Sequence, residues 1–127
     1  MLFKKPLYEK IISGEKVATR RPLAPKMGRA VYSTGQRVGI RYSMYKKTSA
    51  FVTIKRRFTQ KLGEVTEDDA KKEGLGSLEE FKRIWILIYQ KWDPEELVYV
   101  YEWDPSSVTL TSLDSANKDK PAPQATL

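Results

Sequence analysis

The chain has 127 residues, which fits one domain, and it contains no cysteine and no histidine. Disulfides, zinc-finger sites, cysteine nucleophiles and histidine general bases are therefore excluded. Any metal would have to rest on carboxylates alone, and we expect no metal and no cofactor. No apolar window is long enough to span a membrane, and the N-terminal residues lack the apolar stretch of a secretory signal, so we expect a cytoplasmic protein with no membrane contact.

The first predicted element is a short helix over residues 7–13. Pro6 stands near its first position and Gly14 fits its C-cap, while the apolar residues between them share one face. Residues 20–35 are predicted to form a loop, because prolines and glycines interrupt a basic stretch there. The chain thus begins with a helix that is followed by an irregular basic segment.

Two alternating segments, residues 37–42 and 50–58, predict a pair of antiparallel strands. One face of the pair would be apolar and the other mostly cationic. The apolar face consists of Val38, Ile40, Tyr42, Val52 and Ile54, and the opposite face of Arg37, Arg41, Thr53, Lys55 and Arg57. Residues 44–49 would form the hairpin loop between the strands and expose Tyr45.

The second half of the chain predicts two helices and a strand. Thr66 stands at capping-box spacing before a helix over residues 67–73, and Ser77 stands before a longer helix that reaches about Tyr89. An apolar stripe on the longer helix predicts a buried face. Residues 97–103 are rich in Val, Tyr and Trp and predict the last strand, whose aromatic side chains most often belong to a core.

This order of elements predicts an α+β domain built on a small, mostly antiparallel β-barrel with flanking helices. The domain would span residues 1–104, and residues 105–127 would be a C-terminal extension. Within the extension, residues 108–110 are a candidate strand, and residues 114–127 have a composition typical of disorder. We expect the protein to be a monomer.

The charge is divided unevenly along the chain, whose formal net charge is +7. Residues 1–61 hold 16 Lys and Arg and 2 acidic residues, a net charge of +14. Residues 62–127 hold 7 Lys and Arg and 14 acidic residues, a net charge of −7. A half this basic would attract polyanions, and RNA or another single-stranded nucleic acid is the first candidate. Two alternatives are that the halves neutralise each other after folding, and that the basic half binds an acidic protein.

A loop after the first helix carries the pattern Gly14-x-Lys16-x-x-Thr19-x-Arg21. Lys and Arg side chains close to a flexible glycine can converge on one phosphate or one carbonyl oxygen. Thr19 adds a hydroxyl within reach of the Lys16 ammonium. The alternative is a solvated basic loop, because Gly-x-Lys alone is a common sequence.

The pattern resembles the signature Gly-x-Lys-x-x-Glu-x-Arg of the ASCH domain (activating-signal-cointegrator homology), which belongs to the PUA-like superfamily. Gly14, Lys16 and Arg21 match the signature in place. The helix before the motif, the Gly-Gln-Arg-Val start of a strand and the aromatic-rich last strand are also similar, so that the resemblance covers residues 2–104. It implies a PUA-like barrel with a ligand site at the motif.

Thr19 stands where the family signature has Glu. This resembles a subgroup of small ASCH proteins that act as amidohydrolases on N4-acetylcytidine, in which the Lys and Thr of the motif work with a Glu of a later helix. Glu73 lies in the matching stretch. The resemblance implies Lys16 as base, Thr19 as nucleophile and Glu73 as acid, and nearby cations would lower the pKa of Lys16. The alternatives are that Thr19 orders its loop and that Glu73 is a surface residue.

Arg20 departs from the subgroup, which has a β-branched residue at this position. A second arginine beside Thr19 indicates an anionic ligand, such as a nucleotide or an RNA backbone, rather than a free nucleoside. The predicted nucleic-acid-binding residues are Lys16, Arg20, Arg21, Arg37, Arg41, Tyr45, Lys55 and Arg57, with Tyr45 available to stack on a base. RNA binding ranks first. Hydrolysis of a modified nucleoside or nucleotide, or of RNA, ranks second, and binding of an acidic protein third.

Overall fold

The computed structural model describes residues 1–23, 31–45 and 50–110. Two short 3-10 turns, at Leu62–Glu64 and Pro105–Ser107, accompany the helices and strands. In chain order these are α1 (Lys5–Ser13), β1 (Ala18–Pro22), β2 (Arg37–Ile40), β3 (Ala50–Lys61), α2 (Glu67–Lys72), α3 (Leu78–Tyr89), β4 (Leu97–Trp103) and β5 (Thr109–Leu110).

The strands form one curled antiparallel sheet in the order β1-β4-β3-β2, with β5 also paired to β3. β3 is the long strand that joins both parts of the sheet, because its first residues pair with β2 and its last residues pair with β4. The pairing shifts between Ile54 and Arg56, and a β-bulge of this kind bends a strand. The result is a half-barrel with flanking helices, which confirms the predicted α+β fold class.

β1 shows that part of the predicted loop over residues 20–35 is a strand instead. Its Arg20 and Pro22 give little local preference for a strand, so the sequence pattern did not indicate one. β1 is an edge strand that pairs with β4 in a register placing Thr19 opposite Tyr101. The tertiary pairing with β4 therefore forms this strand, and it fixes the motif residues in the sheet.

The helix ends follow the predicted caps. Gly14 ends α1 in the left-handed conformation with φ 89°. The Thr66 side chain accepts a hydrogen bond from the Asp69 backbone while the Asp69 side chain accepts one from the Thr66 backbone, which makes a capping box. The Ser77 side chain caps α3 by accepting a hydrogen bond from the Glu80 N–H. Within the described residues no helix is long and apolar enough to cross a membrane.

Two apolar clusters pack on opposite sides of the sheet. One lies inside the curl, against α1, and contains the predicted apolar strand face together with the buried Tyr101 and Trp103. The other lies under α2 and α3 and contains Phe81 and Trp85. The predicted strand faces are confirmed as far as Lys55, because Val38, Ile40, Val52 and Ile54 are buried, Tyr42 is half-buried, and Arg37, Arg41 and Lys55 are exposed. The prediction is wrong for Arg57, which is exposed but, because the pairing shifts after Ile54, lies opposite Tyr101 and on the same side of the sheet as that buried ring.

The sheet continues past residue 104, the predicted end of the domain. β5 contributes the pairs Ala50↔Leu110 and Phe51↔Thr109, so the candidate strand at 108–110 is present as Thr109–Leu110. Residues 114–127, for which disorder is expected, lie outside the described residues.

Candidate functional site

The sequence motif spans the end of α1 and the start of β1. Gly14 turns the chain out of α1, and Lys16 follows in a short connection. The Val17 N–H donates a hydrogen bond of 2.8 Å to the Lys72 carbonyl at the end of α2. This bond ties the motif to the C-terminus of α2 and brings Glu73, the residue that caps α2, next to Lys16.

Lys16 is buried, with 2% of its surface exposed, and all three of its ammonium protons have acceptors. Its Nζ donates to the Ala18 carbonyl at 2.8 Å, the Glu73 carbonyl at 3.0 Å and Glu73 Oε1 at 3.1 Å. The Phe3 ring centroid lies 5.6 Å from Nζ. Burial lowers the pKa of Lys16 below its usual value; Glu73 opposes this shift, and the charges of Arg21 and Arg20 add to it.

Arg20 approaches Glu73 from the other side. Its Nη1 lies 2.8 Å from Glu73 Oε2, its Nη2 lies 3.4 Å from Asp69 Oδ1, and its Nε donates to Gln60 Oε1 at 2.9 Å. The side chain of Arg20 is only 1% exposed. Glu73 is therefore held between two buried cations, one on each carboxylate oxygen. The guanidinium nitrogens of Arg20 are engaged by the side chains of Glu73, Asp69 and Gln60.

Thr19 faces the other side of β1 from Arg20, because side chains alternate along a strand. It is 5% exposed and lines the same cleft as Lys16 and Glu73. Among the described residues no hydrogen bond to its hydroxyl is found. The hydroxyl is thus available to a group that enters the cleft.

The cleft has a volume of about 610 Å³, within the range of small-ligand pockets. Lys16, Thr19 and Glu73 lie on its polar side. The other walls come from the N-terminal residues, including Phe3, from the segment after β2, and from the apolar stripe of α3. That stripe contributes Phe81, Ile84, Trp85 and Ile88. An apolar wall beside a few convergent polar groups is the usual composition of a small-ligand site.

The predicted nucleic-acid-binding residues separate into two groups. Lys16, Arg20, Arg21 and Arg41 line the cleft. The other four lie outside the cleft. Arg37 lies over the Phe51 ring at 3.7 Å, and Arg57 lies over the Tyr99 ring at 5.4 Å. Lys55 and Tyr45 complete this group, and Tyr45 is 99% exposed.

The sequence did not indicate three further contributors to the site. Asp69 was recognisable only as a helix cap, yet its side chain also contacts Arg20. Gln60 carries no motif, and Phe3 precedes the first predicted element. In the described part of the chain, no group of three acidic residues is placed to hold a metal ion.

The fold is similar to that of several solved structures, although no family model and no curated protein matches the sequence. Protein EF3133 from Enterococcus faecalis V583, described by the family model DUF984, superposes with a TM-score of 0.60 and 23% identity, over 78% of this chain and 69% of that chain. ASCH from Zymomonas mobilis superposes with a TM-score of 0.59 and 13% identity, over 98% of this chain and 79% of that chain. A mutant of the Zymomonas protein superposes with a TM-score of 0.58 and 13% identity, over 98% of this chain and 81% of that chain. This chain therefore has the fold of the ASCH domain, as the resemblance of its motif predicted.

Proposed function

We propose that this protein is a hydrolase that cleaves the exocyclic amide of an N4-acetylcytidine-type ligand. The observation that carries the proposal is the meeting of Lys16, Thr19 and Glu73 at one cleft of about 610 Å³, with Lys16 and Glu73 as a buried pair. A buried amine with a lowered pKa can lose its proton and activate a neighbouring hydroxyl. A surface that only attracts RNA phosphates would gain nothing from burying its lysine.

In the proposed reaction, the neutral amine of Lys16 accepts the hydroxyl proton of Thr19 while Oγ1 attacks the amide carbonyl carbon. The resulting ammonium donates this proton to N4 as the bond between the carbonyl carbon and N4 breaks. Cytidine leaves, and an acetyl ester remains on Thr19. Water then attacks the ester with Lys16 again as base, which releases acetate and restores the Thr19 hydroxyl.

Glu73 holds Lys16 in this scheme and does not transfer a proton itself. Both oxygens of its carboxylate are already engaged, Oε1 by the Lys16 ammonium at 3.1 Å and Oε2 by the Arg20 guanidinium at 2.8 Å. Arg20 also supplies the positive charge that Glu73 needs while Lys16 is neutral, so the buried carboxylate always keeps a cationic partner.

The test is hydrolysis of N4-acetylcytidine by the purified protein, with Thr19→Ala and Lys16→Ala as variants. We expect each variant to lose at least about 100-fold in kcat/KM, the usual effect of removing a nucleophile or general base. Thr59→Ala, which alters an exposed threonine on β3, is the matched control and should keep the activity. Activity that survives both Thr19→Ala and Lys16→Ala would overturn the assignment.

RNA binding by exposed cations of the sheet is a second candidate function, and a separate observation favours it. Arg37, Lys55 and Arg57 are exposed, and none forms an ion pair with an acid in the described residues. Arg57 lies over Tyr99 and donates to the Tyr32 carbonyl, which places a cation beside aromatic rings. Cations next to aromatic rings are typical of surfaces that bind single-stranded nucleic acid.

A further inference from the structure

The sheet places an exposed arginine on the same side as Thr19. Thr19 of β1 lies opposite Tyr101 of β4, and Tyr101 lies opposite Arg57 of β3. Residues directly opposite each other on antiparallel strands project to the same side of the sheet, so these three side chains share one side. Neighbouring strands are about 4.8 Å apart, which puts the backbone of Arg57 roughly 10 Å from that of Thr19. A cation thus stands two strands away from the proposed nucleophile.

Tyr32 connects this arginine to the cleft. Tyr32 lines the cleft, and its carbonyl accepts a hydrogen bond of 3.2 Å from Arg57 Nη1. The Tyr32 N–H donates to the Tyr101 hydroxyl at 3.3 Å, and the two rings meet edge to face with centroids 5.6 Å apart. These contacts hold Tyr32 in the cleft wall. The guanidinium group of Arg57 therefore lies just beyond a residue of that wall.

The charge of Arg57 has no acidic partner among the described residues. Arg57 is exposed and takes part in none of the ion pairs found there. Its hydrogen bond to the Tyr32 carbonyl leaves further N–H groups to donate, and a carbonyl does not neutralise the charge. The guanidinium carbon lies 5.4 Å from the centroid of the half-buried Tyr99 ring. The surface next to the cleft therefore offers a charged donor beside an aromatic ring.

This placement distinguishes Arg57 from Arg37, another exposed arginine of the sheet. Val38, the residue after Arg37, is buried in the apolar cluster inside the curl. Arg37 projects to the other side of the sheet, because side chains alternate along a strand. A ligand that leaves the cleft past Tyr32 thus meets Arg57 and does not meet Arg37.

We infer that the ligand of the cleft is a single strand of RNA, with the N4-acetylcytidine-type residue at Thr19 and the adjoining phosphodiester at Arg57. A free nucleoside has no group that could neutralise Arg57, whereas a strand that continues past Tyr32 brings a phosphate to it. Guanidinium groups bind phosphate oxygens through charge-assisted hydrogen bonds. The Tyr99 ring offers an aromatic surface to the neighbouring base. The inference rests on the proposed function for the identity of the residue in the cleft.

The test is calorimetric binding of cytidine, of its 5′- and 3′-monophosphates and of the two dinucleotides that join cytidine and uridine through one phosphodiester. The proposed reaction would consume none of these ligands. The wild-type protein should bind one dinucleotide at least about tenfold more tightly than cytidine, the gain expected from one charge-assisted contact. It should bind the same dinucleotide more tightly than either monophosphate, because only the dinucleotide has a second base to stack.

Arg57→Gln should reduce the affinity for the dinucleotide to that for cytidine and leave cytidine binding unchanged. Arg57→Lys keeps the charge without the paired donors, so it should retain part of the gain. Arg83→Gln is the control, since Arg83 is an exposed arginine of α3 outside the cleft, and it should change no affinity.

Equal affinities for cytidine and both dinucleotides, or no binding of any of these ligands, would overturn the inference. A monophosphate that binds as tightly as the dinucleotides would overturn the strand in favour of a mononucleotide. An equal loss of dinucleotide affinity in Arg37→Gln and Arg57→Gln would show a general attraction to the cations of the sheet, and it would overturn the specific contact at Arg57.

Hydrolysis of N4-acetylcytidine and of dinucleotides that contain it separates this inference from the proposed function. If the nucleoside and the dinucleotides are hydrolysed equally well, the assignment of a strand fails and the hydrolase stands. If the protein binds a dinucleotide more tightly through Arg57 but hydrolyses neither substrate, the hydrolase fails and the phosphodiester contact stands.

Discussion

At the scale of single residues, the site depends on one carboxylate that serves two buried cations. Glu73 contacts Lys16 and Arg20 through different oxygens. Glu73→Gln would leave Lys16 charged and buried without an anionic partner, and we expect it to lower the free energy of unfolding by about 3–5 kcal/mol. Urea denaturation at pH 7 would measure this loss.

A double substitution distinguishes loss of the pair from loss of packing. Lys16→Met combined with Glu73→Gln removes both ends of the ion pair, so no lone ammonium remains in the interior. This double variant should be more stable than Glu73→Gln alone. If the losses of stability caused by Lys16→Met and by Glu73→Gln simply add in the double variant, the ion pair is not the source of the loss seen in Glu73→Gln.

The pH dependence of hydrolysis follows from Lys16. Burial lowers its pKa below the usual 10.5, with Glu73 opposing the shift. Because the base must be neutral, kcat/KM should rise as the pH increases through this lowered pKa and should level off before pH 10.5 is reached. Lys16→Arg cannot lose its proton and should be inactive throughout. A pH-rate profile is the measurement, and a flat profile for the wild type would contradict the role of Lys16.

The sequence pointed to Lys16 and Thr19 through the pattern after the first helix, and to Glu73 only through the family resemblance. It could not show that Arg20 lies in the interior, because adjacent arginines in a basic stretch look equally exposed. The burial of Arg20 depends on Asp69 and Gln60, which arrive from α2 and β3. A contact between segments so far apart leaves no local pattern in the sequence.

At the scale of elements, the turn after α2 positions Lys16. Gly74 has φ +86°, and a Cβ there would lie 3.1 Å from Lys16 Cβ and 3.2 Å from Lys10 Cδ. Gly35 has the same φ of +86°, but no described atom lies within 4 Å of its Cβ position. Gly35→Ala should therefore cost only the left-handed strain, about 1–2 kcal/mol.

Gly74→Ala adds crowding to the same strain, so it should destabilise the protein more than Gly35→Ala. It should also reduce hydrolysis, because Lys16 must move to make room. Thermal unfolding and the N4-acetylcytidine assay, applied to both variants, would measure the two effects. Equal losses in stability and unchanged activity would show that the turn does not constrain Lys16.

Most elements could be predicted from local patterns, and the exceptions were formed by tertiary pairing. Caps and apolar stripes predicted all three helices, alternation predicted β2 and most of β3, and β-prone composition predicted β4. β1 was missed because a strand with Arg and Pro exists only through its pairing with β4. β3 runs to Lys61, beyond its predicted end at residue 58, because β4 pairs with it as far as that residue.

At the scale of the whole molecule, the basic and acidic halves neutralise each other only in part. Ion pairs join the first half to the second: Lys16 to Glu73, Arg20 to Glu73 and Asp69, Arg56 to Glu102, and Lys61 to Glu95. The exposed Arg37, Lys55 and Arg57 form no such pair within the described residues. The uneven charge of the sequence therefore survives folding in part, as exposed cations of the sheet.

If these exposed cations bind single-stranded RNA through three phosphates, the affinity should fall about 20-fold between 50 and 200 mM salt, because each contact releases a counterion. Arg37→Gln together with Arg57→Gln should weaken binding and reduce the salt dependence. Arg83→Gln, an exposed arginine on α3, is the control and should leave both unchanged. Fluorescence titration would measure the affinities, and binding indifferent to salt would argue against phosphate contacts.

The edge position of β1 also has a consequence for the order of folding. β1 has one strand neighbour, β4, which is made from the far end of the described chain. Closing so long a loop costs chain entropy, so β1 should dock after β3 and β4 have paired. Its amide hydrogens should then exchange with solvent sooner than those of β3, which hydrogen-exchange measurements can show. Thr19 and the adjoining Lys16 would take their places in the cleft only in this last step, so a partly folded chain would keep most of its core yet have no complete cleft.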